Sequence, residues 1–219
     1  MKTIGVLLSG CGFLDGAEIR ESVLTLLALD QDDIKVTIMA PDQKQYHVVD
    51  HVKSDEAKGL ERNLLEESAR IARGEIVALD KVEAKDLDAL IVPGGFGVAK
   101  NLCEFAFKGH QATVQEDVKK LILDLHKDKK PLGAICIAPA LMGLVLGDKG
   151  VEVTIGDDKE TAQEIEKTGA KHFSTKVNEI HVDEKNKVVS TAAYMYGEAR
   201  LSHVSQGIRR CVEKVIDLA

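Results

Sequence analysis

One cysteine in this chain stands where a buried strand gives way to a helix: Cys136, inside Pro131–Gly143, PLGAICIAPALMG. Leu132–Ile135 is short, apolar and glycine-containing, as a central parallel strand is, while Ala138–Leu146 is rich in helix formers. A thiol on so tight a turn is pushed clear of the sheet, and the unpaired N–H groups of the helix behind it favour thiolate over thiol. That is the arrangement of a nucleophile elbow. An inert, packed cysteine is the competing account, because free thiols are among the most buried side chains.

A nucleophile needs donors for the charge it creates. The loop PGGFGVAKN after the strand Ala89–Val92 is glycine-rich, with Gly94 and Gly95 where the backbone must turn and leave N–H groups free. The N–H of Gly95 pairs most economically with that of Ile137, the residue after the nucleophile, as an oxyanion hole. An ordinary strand-to-helix turn is the alternative. The loop SGCGFLDGAEIRES, after the first strand, carries Glu18 and Glu21 into the opening turns of a helix. There the helix dipole favours a carboxylate and the three-residue spacing puts both on one side. One of them points at Cys136, or each is a solvated capping carboxylate. Cys11, in the same loop, either approaches Cys136 as a resolving thiol or packs beneath the loop. Tyr194, in STAAYMYG, either lines the pocket or sits at an interface.

The elements that position these residues alternate from end to end. Thr3–Ser9, Lys35–Ala40, Ala89–Val92 and Leu132–Ile135 read as strands, and Glu18–Leu29, Gln115–Lys129 and Arg200–Leu218 as amphipathic helices. Ser54–Arg73, with Leu60, Leu64, Leu65 and Ile71, reads as one inserted surface helix. A helix at Thr161–Lys167 and a turn at DEKNK, between Ile180–Val182 and Val188–Thr191, complete the pattern. Such alternation predicts an α/β, flavodoxin-like three-layer sandwich, a mostly parallel sheet with helices on both faces and a nucleophile elbow. At 219 residues without linker or repeat, one domain over residues 1–219 is expected.

A net charge of −7 with no long Lys/Arg run argues against a nucleic-acid surface. No apolar run reaches bilayer-spanning length, and the first strand begins too early for a leader, so no membrane and a cytoplasmic location are expected. The four cysteines are dispersed without a C-x-x-C pair and read as reduced thiols, with no metal site. His47 and His51 could ligate a metal if they shared a helix face, but their segment reads partly as loop. GCGFLDG is a poor dinucleotide fingerprint, and the carboxylates behind it would repel a pyrophosphate.

VPGGFG, GAICIAP and the Glu-bearing helix after the first strand resemble, in order and spacing, the PfpI/ThiJ branch of the class I glutamine-amidotransferase-like superfamily. LSGCGFLDGAEIRES, APDQKQYHV, RNLLEESARIARGEI and VPGGFGVAKNL resemble more narrowly the ElbB subgroup, the sigma cross-reacting or isoprenoid-biosynthesis-like proteins. The resemblance implies that Cys136 is the elbow cysteine, that Gly95 and Ile137 supply oxyanion donors, and that Glu21, ahead of Glu18, is the acidic partner. It also implies a homodimer. The catalytic histidine of true glutaminases has no counterpart here: Ile137 follows the cysteine, the other family position falls near Gly156, and His172 and His181 are merely nearby in sequence. Glutamine and peptide hydrolysis are therefore not expected.

A Cys–Glu dyad suffices for small α-oxoaldehydes, and the resemblance implies a cofactor-independent glyoxalase-type lyase converting glyoxal or methylglyoxal to 2-hydroxy acids. The alternative is a non-catalytic, redox-responsive accessory or binding protein whose elbow cysteine is oxidised.

Overall fold

The strands predicted from short apolar runs are those that form the centre of the sheet in the computed structural model, which describes residues 1–31 and 34–219. In chain order come β1 (Thr3–Leu7), α1 (Ile19–Gln31), β2 (Lys35–Ala40), β3 (Val49–Asp50), β4 (Asp55–Glu56), α2 (Leu64–Ile71), β5 (Val77–Ala78) and β6 (Ala89–Val92). Then follow α3 (Phe105–Lys108), α4 (Glu116–Lys127), β7 (Leu132–Ile135), α5 (Ala138–Leu146), β8 (Glu152–Val153), α6 (Lys159–Glu166), β9 (Lys171–His172), β10 (His181–Asp183), β11 (Val188–Thr191) and α7 (Leu201–Leu218).

Seven strands make the main sheet in the order β10-β11-β7-β6-β1-β2-β5, and every pairing is parallel except β10 with β11. Side chains alternate between its faces with period two. Leu7, Leu90, Val92, Leu132 and Ala134 pack with α4 and α5, while Ile4, Val6, Ile91, Ile135 and Val189 pack with α7. The mostly parallel, flavodoxin-like α/β fold is as expected.

The chain lays β2 and β5 on one side of β1, then crosses to place β6, β7 and β11 on the other. In open parallel sheets that reversal opens a crevice beyond the carboxyl ends of the strands. The loops after β1 and β6 meet there: Phe96 N–H donates to Phe13 O at 2.7 Å, Gly97 N–H to Gly16 O at 2.8 Å and Glu18 N–H to Gly94 O at 2.9 Å.

The single helix expected over Ser54–Arg73 is not formed. The short hairpin β3–β4 occupies Val49–Glu56, and only Leu64–Ile71 is helical. Gly59 sits at φ 81°, interrupting the helical path, and Leu60 is left in water. The helix starts at Asn63, whose side chain accepts from Glu66 N–H at 3.1 Å.

Candidate active site

Cys136 follows β7 and precedes α5 with φ at 62°, the left-handed region that a non-glycine residue enters at a cost. Its N–H still donates to Thr191 O at 2.9 Å, so the backbone is held by the sheet while the side chain swings out. Pro139 in the first turn of α5 suits a helix start, where a missing N–H costs nothing. The N–H groups of Gly95 and Ile137 both donate to the Cys136 sulfur.

Glu21, in the first turn of α1, is fully buried and hydrogen-bonded to Cys136. Gly94 N–H donates to its Oε2 at 2.9 Å and Tyr194 N–H to its Oε1 at 3.1 Å, which fixes the carboxyl plane. Burial first, and then the charge of Glu18, raise its pKa from 4.5 to about 8, so this acid keeps its proton near neutrality. Burial, followed by the Glu21 charge, pushes the Cys136 thiol up as well, while the Gly95 and Ile137 donors pull it down. The pull of the helix N-terminus toward thiolate, expected from the sequence, is therefore opposed by burial and by the neighbouring carboxyl, which favour the protonated form of both groups.

Gly94 is required by proximity. A Cβ there would lie 2.5 Å from Cys136 Cβ and 2.7 Å from Glu21 Oε2. Gly95 has φ at 94°, and a Cβ on it would strike the Glu18 nitrogen.

Glu18 lies one turn earlier and does different work. Its Oε2 accepts from Glu21 N–H at 2.6 Å, capping α1, and burial raises its pKa. It also lines a cavity of about 290 Å³ that reaches Cys136, together with Phe13, Phe96, Ile137, Tyr194 and Met195. A neighbouring cavity of about 460 Å³ shares Phe13, Glu18 and Tyr194 and extends to Arg20 and His51. The Tyr194 hydroxyl, which accepts from Arg20 Nη1 at 3.1 Å, lies where the two meet.

Cys11 lines neither cavity. It is half-buried toward α2, where burial and the Glu67 charge raise its pKa, so the resolving-thiol reading gives way to packing beneath the loop. Among the described residues, no histidine lines the cavity that holds Cys136. His172 accepts from Ile155 N–H at 3.2 Å, and His181 stacks on Phe173 at 4.3 Å. Gly156 faces the Tyr196 ring. His47 meets the Lys100 ammonium at 3.2 Å, whereas His51 meets Val49 O and Leu14 N–H, so the two do not converge on a common ligand.

The sequence reading missed Phe13, Phe96 and His51 as cavity residues. Each phenylalanine follows a glycine in a loop beyond a strand end, which is a readable signal; His51 arrives through the β3–β4 hairpin, which the expected long helix obscured.

Comparison with known proteins agrees with this fold. The sequence model of the DJ-1/PfpI family matches residues 11–196. The chain is 45% identical over 98% of its length to a rat protein named "ES1 protein homolog, mitochondrial", covering 83% of it. It is likewise 45% identical over 98% of its length to a human protein named "Glutamine amidotransferase-like class 1 domain-containing protein 3, mitochondrial", covering 82%. A crystal structure described as an isoprenoid biosynthesis protein with an amidotransferase-like domain, from Ehrlichia chaffeensis, superimposes with a TM-score of 0.93 at 36% identity, covering 100% of this chain and 99% of that one. The names of the rat and human relatives, and of a zebrafish ES1 protein 34% identical over 97% of this chain and covering 84% of its own, overturn the cytoplasmic expectation, since all three are named mitochondrial.

Proposed function

We propose, on the premise that the chain belongs to the DJ-1/PfpI family, that it is a cofactor-independent glyoxalase-type enzyme acting through Cys136 and Glu21. The observation that carries this reading is a buried carboxyl, raised to about 8, in hydrogen-bond contact with an elbow thiol at one end of a small cavity. A carboxyl that titrates this close to neutrality can both take and return a proton within one catalytic cycle.

Glu21, as carboxylate, takes the Cys136 thiol proton while the sulfur attacks the aldehyde carbon of R–CO–CHO, and passes that proton to the new oxyanion to give a hemithioacetal. The Glu21 carboxylate then removes the hydrogen on that carbon and returns it to the neighbouring carbon, while the hydroxyl proton moves to the neighbouring oxygen. The product is the thioester of a 2-hydroxy acid. Water, deprotonated by Glu21, attacks the thioester, the carbon–sulfur bond breaks, and Cys136 leaves with its proton restored. The sum is R–CO–CHO plus water giving R–CHOH–COOH, with no external oxidant or reductant.

The donors on sulfur, Gly95 and Ile137 N–H, are placed to follow the charge as it leaves the thiol for the carbonyl oxygen. Glutamine hydrolysis lacks a histidine in the cavity. The family resemblance to the ElbB subgroup favours the same small-aldehyde reading and a homodimer. Ile19, Val23 and Leu27, four residues apart and each about half exposed along α1, offer a second copy an apolar face.

The test follows glycolate formation from glyoxal by proton NMR, with wild-type protein beside Cys136→Ala. Turnover by the wild type that falls to the uncatalysed rate in the variant supports the reading. Equal turnover, or none in either, overturns it.

A further inference from the structure

Phe13, Phe96 and Tyr194 are drawn from a chain with five phenylalanines, three tyrosines and no tryptophan, yet all three line the cavity at Cys136. Phe13 and Phe96 are 47% and 46% exposed, although the chain has ample core in which to bury them. Large apolar side chains grouped on a surface mark a place where something apolar docks.

The two rings are also held in place. Their loops are joined by the Phe96 N–H to Phe13 O bond of 2.7 Å. The His51 ring meets Phe13 edge-on at 5.5 Å, and the Lys100 ammonium lies 4.9 Å from the centre of Phe96. Contacts of that kind orient an aromatic face, and a face fixed before binding loses little entropy on binding.

The polar groups of the same cavity are already engaged. Asp158 accepts from the Thr161 hydroxyl at 2.6 Å and from Glu160 N–H at 3.1 Å, and Glu18 accepts from Glu21 N–H. Ile137 and Met195 add to the apolar lining. Glyoxal, with four heavy atoms, leaves most of a 290 Å³ cavity empty, since pockets of about 300 Å³ enclose much larger ligands.

We infer that the preferred substrates are α-oxoaldehydes bearing a planar apolar substituent, an aryl ring in the simplest case, held between Phe13 and Phe96 while the aldehyde faces Cys136. This rests on the aldehyde reading above and specifies its substrate class. The chemistry is unchanged: phenylglyoxal and water give mandelate, as methylglyoxal and water give lactate.

The experiment measures mandelate and lactate formation by chromatography, as kcat/KM for each aldehyde, in the wild type, Phe13→Ala and Phe96→Ala. In parallel, Cys136 alkylation by phenacyl bromide is compared with that by iodoacetamide, each normalised to N-acetylcysteine and read by peptide mass analysis. Phenylglyoxal is expected to be favoured by about tenfold or more, with most of that preference lost in both variants. The normalised alkylation ratio should show the same bias and the same loss. If both aldehydes react and methylglyoxal does so equally or better, the aryl preference is overturned while the glyoxalase reading stands. If neither aldehyde is consumed, the glyoxalase reading fails, and the alkylation ratio decides the aryl site: a bias that the variants abolish upholds it, and no bias overturns it.

Discussion

Cys136 and Cys211 belong to the same apolar layer, one at the end of β7 and the other on α7, and both are buried. The Cys211 thiol lies 3.7 Å from Val189 O, and burial pushes its pKa to about 12. Cys136 is pushed up by burial too, but two backbone donors and a carboxyl touch its sulfur and a cavity reaches it. Burial alone makes a thiol inert. Directional groups and a path for a ligand are what distinguish the elbow from the helix.

The contrast should be largest in reactivity. Cys211 meets an alkylating agent only when the fold opens, a population of about 10⁻³ or less in a stable protein. Cys136 should therefore be labelled about 10³-fold faster or more, read by peptide mass analysis after limiting treatment; comparable labelling would erase the distinction.

Next in size is Glu21→Gln, expected to lower aldehyde turnover by about 10²-fold or more, with Glu18→Gln within a fewfold of wild type. The amide is nearly isosteric with the carboxyl, but it offers one oxygen to the two donors Gly94 N–H and Tyr194 N–H. The orphaned donor should cost roughly 1–3 kcal/mol of stability, seen as a lower midpoint in urea. Inactivity of Glu18→Gln instead would move the proton-carrying role one turn along α1.

Gly94→Ala tests whether the elbow depends on close approach, since the added methyl would enter the space between Cys136 and Glu21. Displacing either group by a fraction of an ångström should reduce turnover by about 10²-fold. Full activity would show the contact to be dispensable.

A smaller effect is expected in stability against pH. The folded state holds the Glu21 proton to about 8, and the unfolded chain releases it near 4.5. Between those values the native protein binds more protons, so its stability falls as pH rises and levels off above about 8. Glu21→Gln should remove that slope from urea unfolding measured across the range, whereas a rising slope would contradict a raised pKa. Smallest of all is Cys211→Ala, expected to leave turnover within about twofold and to cost about 1–2 kcal/mol.

The central strands were legible because each is a short apolar run whose neighbours bury it on both faces, and the elbow because a cysteine sits between such a run and a helix start. Ser54–Arg73 was misread because the spacing of Leu60, Leu64, Leu65 and Ile71 satisfies a helix. Gly59 and the cap at Asn63, with Glu66 three residues on, were the stronger signals. Glu21 could be placed on α1, but its retained proton depends on burial by parts of the fold far away in the chain, which outweighs the pull of the Gly94 and Tyr194 N–H donors toward the carboxylate. No local pattern carries that information.

That separation has a consequence for how the protein is made. Glu21 and Gly94 are 73 residues apart, and Glu21 and Tyr194 are 173 apart, so the carboxyl is clamped by contacts of very different order along the chain. Closing the longer loop is entropically costlier and slower, and it requires β11 to have docked beside β7. A growing chain would thus expose its elbow thiol before the acid was locked against it. Chemistry at Cys136 would begin only when the fold is complete, which spares the nascent polypeptide a reactive centre during synthesis.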